Sequence, residues 1–205
     1  MQGGKTADAA GCRVRKRIVI LISGRGSNME AIVRNARDGV LSDCCTVELV
    51  LSSSPDAAGL EIARRYGIPT LCLDSKGQPP TAYSSSLADA LEPYAPDYIV
   101  LAGFMKVLKA PLIDRYKERI INIHPADTAL HRGLDGYGWA FESGLTSTKI
   151  TVHFVDYGVD TGPVIAQAVV DLEGARDRQE VERRGLATEH WFYSEVLKAV
   201  LAGGA

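Results

Sequence analysis

The chain has 205 residues, of which 46% are hydrophobic, and a formal charge of −2. That length and apolar content suit one domain with a sizeable core. The near-neutral charge gives no global electrostatic case for nucleic acid or an anionic membrane, and no apolar run is long enough to span a bilayer.

Residues 1–16 are rich in Gly and Ala and end in Arg13, Arg15 and Lys16. Lacking the apolar stretch of a secretory signal, they read as a disordered tail, with residues 17–205 as a single domain. Residues 17–23 (RIVILIS) form a nearly continuous β-branched run, the pattern of a parallel strand covered on both faces. Gly24-Arg25-Gly26-Ser27-Asn28 breaks it, and residues 29–36 have helical spacing. A second strand is expected at 46–51 and a helix at 55–66, stopped by Gly67. A short strand at 69–73, a helix at 82–91 and a buried strand at 98–102 (YIVLA) follow. Strands alternating with helices indicate right-handed crossovers. Residues 119–123 read as a short strand leading into an irregular, glycine-rich segment. Residues 149–155 and 163–170 form a hairpin-like strand pair joined by a functional loop. Residues 180–201 close the chain as a helix whose start Gly185 offsets or interrupts. The expected fold is α/β, a Rossmann-like, mostly parallel sheet flanked by helices, with a C-terminal antiparallel strand pair.

The four cysteines, Cys12, Cys44, Cys45 and Cys72, include no C-x-x-C pair and no zinc-ligand spacing. Cys45 and Cys72 read as small hydrophobes and Cys44 as lying near a surface turn, in a reducing, cytoplasmic setting. The histidines form no metal-ligand series, so no metal is expected.

The chemistry-bearing residues are Asn122, His124 and Asp160. Asn122 and His124 sit at i and i+2 after an apolar pair, so on an extended segment both project to one face. An amide donor beside a protonatable ring suits an oxygen that becomes negative during acyl or formyl transfer. A carboxylate alongside can hold the imidazole or relay a proton. Taken singly, His124 reads equally as a hydrogen-bonded structural histidine, as do His131, His153 and His190, and Asp160 as a turn initiator. The 23–28 turn fits an anion cradle at a helix N-terminus or a plain tight turn, since neither a dinucleotide nor a P-loop signature is complete. Met105-Lys106-Val107-Leu108 follows a sheet strand, where a segment can line a ligand crevice or simply pack.

From about residue 17 to 201 the chain resembles the glycinamide ribonucleotide formyltransferases of purine biosynthesis. The matching stretches, in order, are RIVILISGRGSN, APDYIVLAGFMKVL, INIHP, VHFVDYGVDTGPVIAQ and TEHWFY. The resemblance implies the formyltransferase fold. It also implies transfer of formyl from 10-formyltetrahydrofolate, a cosubstrate, to the amine of N1-(5-phospho-D-ribosyl)glycinamide in IMP synthesis. It assigns Asn122, His124 and Asp160 as catalytic, Gly26, Ser27 and Asn28 as the substrate phosphate cradle, and Glu189 as substrate-binding. Met105, Lys106, Val107 and Leu108, with Val155, Asp156, Tyr157, Gly158 and Val159, match the folate pocket. The implied partners are small molecules, with no nucleic acid or membrane, and the assembly a monomer or homodimer.

The chain departs from the family pattern in places. Ala126-Asp127-Thr128-Ala129 stands where Ser-Leu-Leu-Pro is usual, and Pro80 where a phosphate-contacting arginine is common. Loss of an arginine there is expected to weaken anion binding unless Arg132, Arg25 or another base substitutes, and Asp127 is expected to add negative charge near the acceptor. The alternatives these departures leave are a folate-dependent formyltransferase or hydrolase with another acceptor, and a non-catalytic folate- or nucleotide-binding module.

Overall fold

The computed structural model describes residues 15–203. The expected tail falls on residues 1–14, outside the described residues, and on Arg15 and Lys16, which belong to the fold. Lys16 opens the first strand, and the Arg15 guanidinium donates to the Cys45 carbonyl at 2.6 and 3.0 Å.

Among the described residues, seven strands join in one sheet. They are β1 (Lys16–Ile22), β2 (Cys45–Ser52), β3 (Thr70–Cys72), β4 (Tyr98–Leu101), β5 (Ile120–His124), β6 (Ser147–Phe154) and β7 (Val164–Asp171), in the order β3-β2-β1-β4-β5-β6-β7. The first five run parallel, whereas β6 pairs antiparallel to β5 and β7 antiparallel to β6. This is the mostly parallel sheet with an antiparallel C-terminal pair that the sequence suggests.

The helices α1 (Ser27–Asp38), α2 (Ala58–Arg65), α3 (Pro80–Leu91), α4 (Ala110–Arg115), α5 (Gly136–Glu142) and α6 (Arg178–Leu201) cover both faces. Every residue of β1 from Ile18 to Ile22 is fully buried. Ile18, Ile20 and Ile22 pack with α1, α2, α5 and α6, while Val19 and Leu21 pack with α3 and α4. Two buried faces explain why the strand is continuously apolar rather than alternating.

Three sequence expectations give way here. First, α4 and α5 occupy stretches without a readable period; each makes about two turns, too short for periodicity to register. The Asp135 carboxylate starts α5 by accepting the Gly138 N–H at 3.2 Å. Second, Gly185 interrupts nothing. The last helix begins at Arg178, where Asp177 accepts the Glu180 N–H at 2.8 Å, and a Cβ at 185 would enter the Tyr137 ring. Glycine there lets the ring lie against the helix backbone. Third, Cys72 is exposed on the edge strand β3. Cys45 is buried as expected, its thiol pushed up to about 12 by burial and by neighbouring Cys44. No described helix is long and apolar enough to cross a membrane.

Strand order reverses at β1, which has β2 on one side and β4 on the other. Open α/β sheets place ligands in the crevice beyond the carboxyl ends of the strands at such a point. Here the crevice is flanked by residues 23–28 after β1 and 103–108 after β4. Tyr193 of α6 ties the end of β4 to the first part of β5. Its buried hydroxyl donates between the Leu101 and Ile121 carbonyls, at 3.1 and 2.9 Å. Tyr193→Phe keeps the ring and removes the donor, and should cost about 1–3 kcal/mol in urea denaturation while unfolding stays cooperative. Unaltered stability would show that the tie contributes nothing.

Candidate active site

Asn122 and His124 lie on β5, and the antiparallel register with β6 sets His153 directly opposite Asn122. Asp160 reaches them from the β6–β7 loop with a left-handed backbone, φ +50°, a conformation that aspartate accepts more readily than most residues. Its Oδ2 lies 3.3 Å from His124 Nδ1 and accepts the Gly133 N–H at 2.8 Å. Its Oδ1 lies 3.3 Å from Asn122 Nδ2 and 3.4 Å from His153 Nε2. His153 Nδ1 lies 2.8 Å from the Phe154 carbonyl, and its Nε2 lies 3.2 Å from Asn122 Nδ2 and faces the Asp160 carboxylate. His153 is therefore a fourth member of the cluster. Its only sequence signal is its register opposite Asn122, which depends on the length of the intervening segment.

Burial acts on the two central groups with different outcomes. For His124 it dominates, driving the ring below its ordinary pKa although Asp160 and the His131 carbonyl favour the protonated form. For Asp160 burial pushes upward, but hydrogen bonds from His153 and the Gly133 N–H and the charge of His124 hold the carboxyl below its usual value. At neutral pH the pair is a carboxylate beside a neutral imidazole. Both ring nitrogens of His124 nonetheless face acceptors, Asp160 Oδ2 and, at 3.1 Å, the His131 carbonyl. The site is thus furnished for an imidazolium that burial disfavours, and negative charge arriving nearby would tip that balance.

This cluster lines one cavity and stands close to the wall that cavity shares with a second. One, of about 280 Å³, is lined by Met105, Lys106, Val107 and Leu108 after β4 and by Val155, Asp156, Gly158 and Val159 of the β6–β7 loop, over apolar Leu101 and Phe104. Tyr157 departs from expectation. Its hydroxyl turns outward to Asp114 of α4, and it does not line the cavity. The other cavity, of about 510 Å³, shares Gly103, Met105, Ile123, Pro125 and Asp135 with the first. Gly26, Ser27 and Asn28 open into it at the start of α1, where free N–H groups favour an anion. Gly26 has φ +81°, and a Cβ there would come within 2.7 Å of the Gly59 backbone, so the turn requires glycine.

Glu189 forms the buried floor of this second cavity. Tyr137 donates to one of its oxygens and Asn28 Nδ2 to the other. Burial raises its pKa, an effect that those two hydrogen bonds partly offset. With its amide nitrogen so engaged, Asn28 Oδ1 is buried without a partner among the described residues, an acceptor available to a donor in the cavity.

Arg25 and Arg178 stand at the rim, each 2.5 Å from a carboxylate, Glu182 and Asp135 respectively. Of the two expected substitutes for the missing arginine, Arg25 borders the cavity, whereas Arg132 bonds the Thr128 carbonyl at 2.8 Å and does not line it. Arg178 carried no motif and was invisible to sequence reading. Pro80 begins α3 and lines neither cavity. Asp127 does not charge the acceptor side either, being held by Lys149 at 2.8 Å and Gln167 at 3.2 Å on β6 and β7. Among the described residues no group of His, Cys, Asp and Glu is arranged to hold a metal ion.

The chain is similar to known proteins in both sequence and fold. The family described as Formyl transferase matches residues 16–197. The chain is 38% identical over 192 residues to the trifunctional purine biosynthetic protein adenosine-3 of Drosophila pseudoobscura pseudoobscura, covering 93% of this chain but only 14% of that protein. It is 38% identical to the phosphoribosylglycinamide formyltransferase of Escherichia coli (strain K12) over 185 residues, 88% of this chain and 84% of the relative. Among solved structures, glycinamide ribonucleotide transformylase 1 from Symbiobacterium toebii superposes with a TM-score of 0.87 at 38% identity, covering 92% of this chain and 89% of that one.

The ion pair itself can be tested by titration. Asp160→Asn keeps the shape and tolerates the left-handed backbone, but removes the carboxylate that favours His124 protonation. The His124 midpoint, followed by NMR, should move still lower. An unmoved midpoint would contradict the pairing.

Proposed function

The chain belongs to the formyl transferase family, and we propose that it moves a formyl group from 10-formyltetrahydrofolate to the amine of N1-(5-phospho-D-ribosyl)glycinamide in purine biosynthesis. One observation carries this reading: the Asn122–His124–Asp160 cluster stands beside the wall shared by two cavities of different character. The smaller, with apolar Leu101, Phe104, Leu108 and Val155 beside Asp156, Gly158 and Val159, fits a flat reduced pterin. The larger offers a helix N-terminus, two arginines and the Glu189 carboxyl, which fits a ribosyl phosphate. Small molecules that meet at the shared wall place amine and formyl carbon beside the cluster, so binding supplies proximity.

The roles follow from the partners each group has at rest. Attack of the neutral amine on the formyl carbon puts negative charge on the formyl oxygen. Asn122 Nδ2, shared between His153 and Asp160, redirects an N–H to that oxygen. His124, taking one proton from solvent as the ligands bind and giving it back when the products leave, stands beside that charge as the better-matched imidazolium, because acceptors for both of its N–H groups are in place. Asp160, ionised at rest, takes the proton from the attacking nitrogen, directly or through water, and returns it to the folate nitrogen as the old C–N bond breaks. One N–H is lost from the acceptor and one is gained by the folate, so the proton count closes without a covalent enzyme intermediate.

An acceptor panel tests the reading. Tetrahydrofolate release from 10-formyltetrahydrofolate should depend on glycinamide ribonucleotide. Release without any acceptor would assign a hydrolase, and saturable folate binding without release a binding module. In the same assay His124→Ala and Asp160→Ala should lower kcat by about 10²–10⁴-fold while thermal unfolding remains cooperative. Full activity in either variant would remove that residue from the mechanism.

A further inference from the structure

The segment joining β5 to α5 brings two main-chain groups to the His124–Asp160 pair. The His131 carbonyl lies 3.1 Å from His124 Nε2, and two residues later the Gly133 N–H donates to Asp160 Oδ2 at 2.8 Å. An acceptor on the imidazole favours its protonated form, and a donor on the carboxylate favours its ionised form. The two contacts therefore act together, stabilising the charge-separated state that the reaction needs.

This short strap is anchored on both sides. Its start is fixed where the Asp127 carbonyl accepts the Leu130 and His131 N–H groups, both at 2.9 Å, and Asp127 is itself pinned to β6 and β7. Its middle is fixed by the His131 ring, which stacks on Trp139 of α5 at 4.8 Å and 12° and places Nε2 3.0 Å from the Leu134 carbonyl. The His131 ring also lies nearly parallel to that of His124, at 6.2 Å and 21°. Gly133, at φ +87°, makes the turn that aims its N–H at the carboxylate.

We propose that His131 is a positioning residue whose stack on Trp139 holds the 131–133 strap, and through it the His124–Asp160 pair, in reactive geometry. The proposal rests on the reading of that pair as catalytic. Other charged or titratable groups face His124: Asp160 and His153 directly, and Asp135, Asp156 and Lys106 from the walls of the adjoining cavity. The His131 ring is also a like charge when protonated, but that effect on His124 is smaller than the opposite one of its carbonyl. The strap acts through main-chain atoms, so its influence depends on the ring stack rather than on the charge of His131.

Three variants test it: His131→Ala, Trp139→Leu and Trp139→Phe. The first two should lower kcat about tenfold or more, with KM for donor and acceptor within about twofold of wild type. Both should also lower the His124 titration midpoint measured by NMR on the free protein. Trp139→Phe, which keeps a ring to stack on, should restore kcat and midpoint together. Unchanged kcat and midpoint in His131→Ala, or a defect confined to KM, would overturn the proposal. His131 is only half-buried, so that variant decides the matter even if Trp139→Leu fails to fold. Because the titration needs no substrate, it reports on the strap separately from the identity of the reaction.

Discussion

The site depends on one partly buried charge, the Asp160 carboxylate. A carboxylate removed from water is tolerated only where hydrogen bonds and opposite charge replace its hydration. Asp160 obtains these from four separate places: Asn122 and His124 on β5, His153 on β6 and the Gly133 N–H of the segment before α5. Each is delivered by a different feature of the fold. The i, i+2 spacing aligns Asn122 with His124, the antiparallel register brings in His153, and a left-handed residue turns Asp160 back toward β5. Loss of any one partner leaves the charge less compensated, so the geometry of the reaction centre and the ionisation of its carboxylate are linked.

A second buried carboxyl, Glu189, is organised by the opposite arrangement. It is deeper, it is held by the uncharged Tyr137 and Asn28, and its pKa is raised rather than lowered. The contrast is the ground for the proposed roles, proton transfer for Asp160 and ligand binding for Glu189. Gly185 makes the arrangement possible, because only a glycine on α6 lets the Tyr137 ring approach closely enough to reach Glu189. A helix position that looked like a possible break thus serves the floor of a binding cavity.

Much of this was legible in the sequence because it rests on local patterns. The continuous apolar run of β1 reports two covered faces, and the spacing of Asn122 and His124 reports a shared direction. What escaped sequence reading was set by long-range placement. His153 reads as an ordinary strand histidine until the β5–β6 register puts it beside Asn122. Arg178 is one of many surface arginines until the start of α6 brings it to the cavity rim. Asp127 and Tyr157 erred the other way, since each follows a motif in sequence yet turns to a partner elsewhere, Lys149 and Asp114. Asn122 and His124 were legible because a strand carries their side chains directly to the site.

In the proposed reaction the two cavities deliver their ligands to Asn122, His124 and Asp160 at the wall they share. The most direct measurement is a crystal structure with an unreactive analogue of 10-formyltetrahydrofolate and the glycinamide ribonucleotide bound together. The formyl oxygen is expected within about 2.7–3.2 Å of Asn122 Nδ2, with the amine facing the formyl carbon and the phosphate at the start of α1. A formyl group directed away from Asn122 and His124, or an acceptor bound outside the cavity floored by Glu189, would contradict it.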